Sequence, residues 1–375
     1  MHSGMPLAKR FAATERETSV KILVRATNWV GDAVMAIPAL EAIRKRWAHA
    51  EIVVLAASWV ADLYRGQGYA DRLIIYEGQD NGKHRSMLAK EGVAADLRRE
   101  KFDVAVLLQN AIDAAWIVWR AHIPERIGYA REARGWMLTH PVAVPRPGDT
   151  PPHEAYYYLE LLRRVGWLAQ LPRVEKIDLR VGAEARERGD ERLVAAGARR
   201  KGVRAAMAAG AAFGSAKCWP PERYAALADR LIAECKADVI LFGAPQEREM
   251  AARIAEGMSR PALNLAGATR IGELPALLSS CDIFIGNDSG AMHVAGAVGL
   301  PVIGIFGPTD AAATGPVTPL FTLVQEPVEC SPCFLRHCPI DHRCMTRIEV
   351  DRVFAAARAG LQAASVGYAG GARRG

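Results

Sequence analysis

The chain has 375 residues, of which 50% are hydrophobic and 24% charged, so it can bury large cores and is not a disordered polymer. At about 150 residues per domain this length predicts two domains. No apolar run approaches the ~18 residues needed to span a bilayer, and the first residues contain no apolar stretch of the kind found in secretory signals, so we expect neither feature. The net charge of +7 is spread along the chain, which suits an anionic small molecule or membrane surface rather than nucleic acid. We therefore expect a cytoplasmic, two-domain protein that binds no nucleic acid.

The first half alternates short apolar segments with helical patterns. One helix is predicted over Asp32–Trp47 and another over His153–Val165, after a run of prolines between 141 and 152. Strands are predicted over residues 21–26, 51–56, 73–76 and 103–108. This alternation is typical of a parallel sheet with helices on both faces.

The alternation restarts after a charged stretch, with strands predicted over residues 203–209, 238–242, 282–285 and 301–306. A final helix is predicted over 349–364. We expect a flexible start (1–20), a first domain (21–175), a second domain (176–364) and a disordered tail (365–375). Two similar α/β domains that face each other would form a central cleft, where ligands usually bind.

The segment Ile283–His293 contains the most informative motif. A strand ends there, a turn follows, and a helix opens near Ser289, so free backbone N–H groups would face an incoming anion. Gly290 lets a phosphate approach the backbone, and His293 can face the same anion. The alternative is that Asp288 or Ser289 only caps the helix and His293 only packs.

Two further candidate residues lie at matching places, each after the first predicted strand of its half of the chain. Lys217 lies in a Gly/Ala-rich loop, where a lysine can neutralise a diphosphate; the alternative is an exposed surface lysine. Asp32 follows the turn Asn28–Gly31, where a carboxylate can act as a general base; the alternative is a helix cap.

Two clusters leave their chemistry open. Cysteines at 330, 333, 338 and 344 have residue types that bind zinc, and the alternatives are four reduced buried thiols or a redox-labile pair. We expect this segment to be a structural element that lies near the predicted anion site and takes no part in the chemistry. Interleaved arginines and tryptophans suit an acidic acceptor or lipid headgroups, with a solvated basic loop as the alternative. The arginines are Arg120, Arg126, Arg131 and Arg134.

Several of these motifs together resemble glycosyltransferase family 9, the lipopolysaccharide heptosyltransferases. The resemblance is carried, in family order, by KILVRATNWVGDAVMAIPALEAIRKRW, GAAFGSAKCWPPERYAALADRL, GNDSGAMHVAGAVGLPVIGIFGPTD and CSPCFLRHCPIDHRCM. It implies a GT-B fold, with two Rossmann-like, doubly wound parallel-sheet domains around a cleft. It also implies inverting transfer of L-glycero-D-manno-heptose from ADP-heptose to the inner core of lipopolysaccharide.

The resemblance assigns roles to individual residues. Asp32 matches the proposed general base and Lys217 the lysine that contacts the donor diphosphate, while Glu247 corresponds loosely to an acidic residue near the donor ribose. The residues that match the phosphate and donor-sugar motifs are Asp288, Ser289, Gly290, His293 and Thr309. The resemblance implies no cofactor and no catalytic metal.

The resemblance further implies addition of the second heptose, onto heptosyl-Kdo2-lipid A, by a protein that contacts the inner face of the inner membrane. Arg120, Arg126, Arg131 and Arg134 are the candidate acceptor-binding residues, and the zinc alternative for Cys330, Cys333, Cys338 and Cys344 stays open. Other open interpretations are a relative with another nucleotide sugar or acceptor, a sugar-nucleotide epimerase of the same fold, and a basic binding protein without activity.

Overall fold

The computed structural model describes residues 20–76, 79–80, 83–84 and 86–369. They separate into two compact units, and the division falls between Val174 and Glu175. The expectations for residues 1–19 and 370–375 lie outside the described residues. Within the described part, no helix combines the length and the apolar character needed to cross a membrane.

The first unit is built around one six-stranded parallel sheet. Its strands are β1 (Lys21–Arg25), β2 (Glu51–Ala56), β3 (Arg72–Ile75), β6 (Val104–Leu107), β7 (Glu125–Tyr129) and β8 (His140–Val142); β4 (Gln79–Asp80) and β5 (Lys83–His84) form a separate antiparallel pair. Its α-helices are α1 (Val30–Met35), α2 (Ile37–Arg46), α3 (Ser58–Ala61), α4 (Met87–Glu100), α5 (Ile112–Arg120) and α6 (Glu154–Arg164).

The second unit has its own six-stranded parallel sheet. The strands are β9 (Arg204–Ala208), β10 (Asp238–Leu241), β11 (Leu263–Asn264), β12 (Ile283–Asn287), β13 (Val302–Phe306) and β14 (Phe321–Gln325). The helices are α7 (Ala183–Ala195), α8 (Pro221–Cys235), α9 (Arg248–Gly257), α10 (Leu274–Ser279), α11 (Gly290–Ala297), α12 (Ala311–Thr314), α13 (Arg343–Thr346) and α14 (Val350–Ala369).

Both sheets have the same strand order. It is β3-β2-β1-β6-β7-β8 in the first unit and β11-β10-β9-β12-β13-β14 in the second. In each sheet the direction of winding reverses beside the first strand, between β1 and β6 and between β9 and β12. Ligands of doubly wound sheets bind outside the carboxyl ends of the strands at such a switch point. The topology therefore directs attention to the loops that follow β1, β9 and β12.

The predicted α/β class is confirmed, and all eight predicted strands are present. The apolar runs identified seven of them because a strand buried on both faces needs a continuous apolar sequence. The eighth, β3, is an apolar strand at the sheet edge that is only half-buried. The strands without a prediction lack such a run. β8 contains Pro141 at the sheet edge, β11 has only two residues, and β7 and β14 include charged or half-exposed positions.

Two helices differ from their predicted bounds. The helix predicted over Asp32–Trp47 is divided at Ala36 into α1 and α2, and Pro38 lies in the first turn of α2, where its missing N–H costs nothing. The last helix continues to Ala369, although a disordered tail was expected from residue 365. No proline interrupts residues 365–369, so the helical run persists.

Candidate active site

Asp32 lies in the first turn of α1, directly after the turn that leaves β1. The hydroxyl of Tyr158, on α6, donates a hydrogen bond to Oδ1 of Asp32 at 3.0 Å. The capping position of α1 is Trp29 rather than Asp32, so the helix-cap alternative does not describe this carboxylate. Asp32 is half-buried and fixed, as a group that must meet a reacting hydroxyl should be.

A buried arginine holds the turn that precedes Asp32. Arg25 is 2% exposed, and its guanidinium donates to the carbonyl of Ala26 at 2.6 Å and to Oδ1 of Asn28 at 2.9 Å. The indole N–H of Trp59 donates to the carbonyl of Asn28 at 2.7 Å. Burial lowers the pKa of Arg25 to about 10, so the group stays charged at neutral pH. The turn is thus anchored from the sheet and from α3.

In the second unit, Asp288 accepts hydrogen bonds from three side chains at the carboxyl ends of the central strands. Lys217 Nζ donates to its Oδ2 at 2.6 Å, and the hydroxyls of Thr309 and Thr314 donate to the same oxygen at 2.7 and 3.2 Å. The side chains of Lys217 and Asp288 are only 11% and 5% exposed. The surface-lysine alternative is therefore wrong, because this ammonium belongs to a buried cluster.

The helix that follows Asp288 begins without a side-chain cap. Ser289 occupies the capping position of α11 in an extended conformation and makes no side-chain capping bond, and its buried Oγ has no hydrogen-bond partner. Unpaired N–H groups and the positive end of the helix dipole are suited to an anion. His293, in the same helix, is buried at 4% exposure.

A buried asparagine that the sequence did not reveal ties these loops together. Asn287 is fully buried at the end of β12, and its Oδ1 accepts from the backbone N–H of Trp219 at 3.2 Å and from the hydroxyl of Tyr224 at 2.9 Å. Its amide nitrogen donates to the carbonyl of Ala209. These bonds couple the end of β12 to the loop that follows β9.

Glu247 lies against the start of the donor loop, which we define as Gly210–Lys217. A Cβ on Gly210 would meet side-chain atoms of Glu247 at 2.1 Å, so the Glu247 carboxyl packs directly against this glycine and would have to shift if the glycine were replaced. Oε2 of Glu247 accepts from the backbone N–H of Ala244 at 2.7 Å, and burial raises the pKa of the carboxyl. The loose sequence match thus places an acidic group beside the donor loop.

The cysteine segment, residues 330–344, is bound to the donor loop. The backbone N–H of Ala216 donates to the carbonyl of Arg336 at 3.0 Å, and Nε2 of His342 donates to the carbonyl of Ala216 at 2.6 Å. Ser215 Oγ lies 3.0 Å from Nδ1 of His337. The segment also reaches the loop of Thr309, because the backbone N–H of Phe334 donates to Pro308 at 2.8 Å. The segment therefore lies beside the donor loop and the loop that contains Thr309.

The four thiols differ in exposure. Cys330 and Cys333 are exposed, Cys344 is buried, and none of the four is in a disulfide. Burial, followed by the charges of the neighbouring thiolates, raises the pKa of Cys344 to about 11. Within residues 20–76, 79–80, 83–84 and 86–369, no group of three or more histidine, cysteine or acidic side chains is arranged to hold a metal ion.

We expect the double substitution Cys330→Ser and Cys333→Ser to change the melting temperature more than turnover at low temperature. Backbone groups and histidines, rather than these two thiols, bind the segment to the donor loop, so turnover should be kept. The effect should be limited to a change of about 0.5 kcal/mol or less in the free energy of unfolding, as for other exposed substitutions. Thermal melts and initial rates on the same preparation measure both quantities. A roughly thousandfold loss of turnover in a folded protein would contradict the structural role.

One candidate acceptor residue needs correction. Arg134 is fully buried and donates to the carbonyls of Tyr129 and Gln109 and to Oδ1 of Asn110, so it has no surface to offer an acceptor. Arg126 is half-buried, and its guanidinium donates hydrogen bonds to the carbonyls of Ile123 and Met137. The sequence pattern could not separate these structural arginines from the exposed Arg131, because their burial depends on the folded chain; the carbonyl of Gln109 that Arg134 contacts lies 25 residues away in the sequence.

Arg120 also has a partner, since it forms an ion pair with Glu91 at 2.8 Å. Arg131 remains as the exposed cation of the four candidates. Near it in the sequence, Trp136 is 67% exposed and packs edge-on against Trp119, with ring centroids 5.3 Å apart. An exposed tryptophan with a nearby arginine is typical of a surface that meets headgroups or sugars.

Comparisons with known proteins agree with this arrangement. Residues 92–343, more than half of the chain, match the model of glycosyltransferase family 9 (heptosyltransferase). Lipooligosaccharide heptosyltransferase 2 of Haemophilus influenzae is 28% identical over 82% of this chain and 88% of its own length. Lipopolysaccharide heptosyltransferase 2 of Salmonella typhimurium is 28% identical over 80% of this chain and 86% of its own.

A solved structure agrees with the sequence relatives. That of E. coli ADP-heptose lipopolysaccharide heptosyltransferase II has a TM-score of 0.78 and 25% identity, and the match covers 92% of this chain and all of that one. The two Rossmann-like units are those of the GT-B fold. The family match, the paired switch-point loops and the buried Lys217–Asp288 cluster lead to one conclusion: the chain is a glycosyltransferase that belongs to family 9, the heptosyltransferase family.

Proposed function

We propose that the enzyme transfers L-glycero-D-manno-heptose from ADP-heptose to the inner core of lipopolysaccharide, as the second heptose on heptosyl-Kdo2-lipid A, with inversion at the anomeric carbon. The observation that carries the proposal is the cluster of Lys217, Thr309 and Thr314 around Asp288, beside the free N-terminus of α11. These groups suit a nucleoside diphosphate. The names of the heptosyltransferase relatives reported above support heptose as the transferred sugar and lipopolysaccharide as the acceptor class.

At the donor end, Lys217 and the first N–H groups of α11 neutralise the diphosphate. Charge accumulates on the departing ADP as its bond to the sugar breaks, and donors already oriented toward that charge lower the barrier. Asp288 holds the ammonium and both threonine hydroxyls in place before the donor arrives. Glu247, beside the donor loop, is placed to accept hydrogen bonds from ribose hydroxyls.

At the acceptor end, Asp32 is the general base. A sugar hydroxyl has a pKa far above 7, so its proton must leave as the oxygen attacks. The oxygen forms a bond to the anomeric carbon on the face opposite ADP, the bond from that carbon to the phosphate oxygen breaks, and the proton moves to the Asp32 carboxylate. ADP leaves with the electron pair, and the configuration inverts. Turnover therefore requires Asp32 as well as Lys217.

The acceptor carries a lipid, so we propose a peripheral contact with the anionic inner face of the inner membrane. Arg131 and Trp136 supply an exposed cation and an exposed indole for that contact. Aromatic rings with a polar edge are favoured at headgroup depth, and basic side chains are attracted to anionic lipids. Flotation with anionic and neutral vesicles, at low and physiological salt, tests the contact.

A donor panel, run with and without acceptor, tests the reaction class. We expect consumption of ADP-heptose only when the core acceptor is present, and slower reaction with UDP- or GDP-sugars. An epimerase of the same fold turns over donor alone and exchanges a sugar hydrogen with solvent. Acceptor-independent turnover would therefore contradict the proposal.

A further inference from the structure

We infer that Tyr158 is a positioning residue for the acceptor base: its hydroxyl fixes the Asp32 carboxylate in the orientation that receives the acceptor proton. The inference rests on the proposed function, and it adds a residue that neither the sequence motifs nor the comparisons single out. The hydrogen bond of 3.0 Å joins α6 to the first turn of α1 across 126 residues of chain. Such a bond stops the carboxylate from rotating about its Cβ–Cγ bond.

Tyr158 is itself held rigidly. It is 5% exposed, and the ring of Tyr157 packs edge-on against it with centroids 5.7 Å apart. Tyr157 is fixed in turn, because its hydroxyl accepts from Nδ2 of Asn110 at 2.9 Å and its carbonyl accepts from the hydroxyl of Tyr129 at 2.7 Å. Asn110 also accepts from the buried Arg134 at 3.1 Å. Arg134, which is too buried to bind an acceptor, thereby helps to hold Tyr157 in place through Asn110.

The electrostatics around Asp32 keep Tyr158 a donor. Burial, followed by the negative charges of Asp32 and Glu154, raises the pKa of Tyr158 well above the usual value of a tyrosine, so the hydroxyl remains protonated at every working pH. Two further titratable groups that interact with Asp32 are Glu154 on α6 and Tyr64 after α3. Burial and the charge of Asp32 raise the pKa of Glu154, while Arg131 opposes that shift.

A second carboxyl close to the base has a consequence for pH dependence. Protonating Glu154 removes a negative charge near Asp32. The hydrogen bond from Tyr158 stabilises the charged form of Asp32. Removing the Tyr158 hydroxyl makes the carboxylate easier to protonate. The acidic limb of the rate profile, where the base becomes protonated and activity falls, should then move to higher pH.

The test is Tyr158→Phe, which removes one oxygen and keeps the buried ring. We expect kcat to fall about 10- to 100-fold, the loss of a hydrogen bond to a charged group, with the KM for ADP-heptose unchanged. The acidic limb of kcat/KM should move to higher pH. Tyr156→Phe is the matched control, because its hydroxyl accepts from the backbone N–H of Val174 at 3.0 Å, and we expect its kcat and pH profile to equal the wild type.

The outcomes separate this inference from the proposed function. Suppose that the wild-type enzyme transfers heptose and that Tyr158→Phe has the same kcat and the same acidic limb of its pH profile. This result overturns the positioning role alone. A lower kcat that is accompanied by a lower melting temperature, with an unmoved acidic limb, overturns it as well, since only the fold is then affected. A wild-type enzyme that transfers no heptose to any core acceptor contradicts the proposed function instead.

Discussion

Asp32→Asn should reduce heptose transfer by about 10²–10⁴-fold, the contribution of a general base. The amide is nearly the same size as the carboxylate and can still accept the Tyr158 hydrogen bond, so the fold and the turn after β1 should be preserved. It cannot accept a proton from the acceptor hydroxyl. Initial rates at saturating donor and acceptor, with a melting curve for the same preparation, measure the effect.

ADP affinity is the control for that substitution. The predicted donor residues all belong to the second unit, so calorimetry should give the same dissociation constant for Asp32→Asn as for the wild type. Turnover close to the wild-type rate in the folded variant would exclude Asp32 as the base and return it to a structural role in α1.

Lys217→Ala should weaken both ADP binding and turnover. A charged hydrogen bond is worth about 1.5–3 kcal/mol, so we expect a loss of roughly 10- to 100-fold in ADP affinity, and a further loss in kcat because negative charge grows on the leaving group. The substitution also leaves Asp288 buried without its cation. Breaking a buried ion pair costs about 3–5 kcal/mol of unfolding free energy, so the melting temperature should fall.

A companion variant separates these two effects. In Lys217→Ala combined with Asp288→Asn, the buried charge is gone, and the amide can still accept from Thr309 and Thr314. We expect this double variant to regain much of the lost stability and none of the ADP affinity. ADP affinity and turnover that stay at the wild-type level in Lys217→Ala would show that the ammonium does not touch the donor.

The sequence predicts most of the fold because the central strands are buried on both faces and therefore apolar throughout. The three loops that hold Asp32, Lys217 and Asp288 are predictable for a related reason, since each follows such a strand and contains glycine or a helix start. The edge strands β8, β11 and β14 are short, interrupted or half-exposed, so local apolar patterning does not mark them.

Long-range packing accounts for what local patterns could not reveal. Arg134 reads as one of several surface cations, yet its donors meet backbone carbonyls about twenty-five residues away in the sequence. Tyr158 lies in an amphipathic helix like any core tyrosine, and only the folded chain brings its hydroxyl to Asp32. Asn287 likewise resembles an ordinary turn residue until β9 and β12 are placed side by side.

A series of core acceptors truncated one sugar at a time, incubated with ADP-heptose and analysed by mass spectrometry, tests the central claim most directly. We predict that one heptosyl unit is added to the acceptor that already carries a single heptose on Kdo2-lipid A, and none to Kdo2-lipid A itself. Transfer to Kdo2-lipid A alone, or no transfer to any member of the series while another nucleotide sugar is consumed, would contradict it.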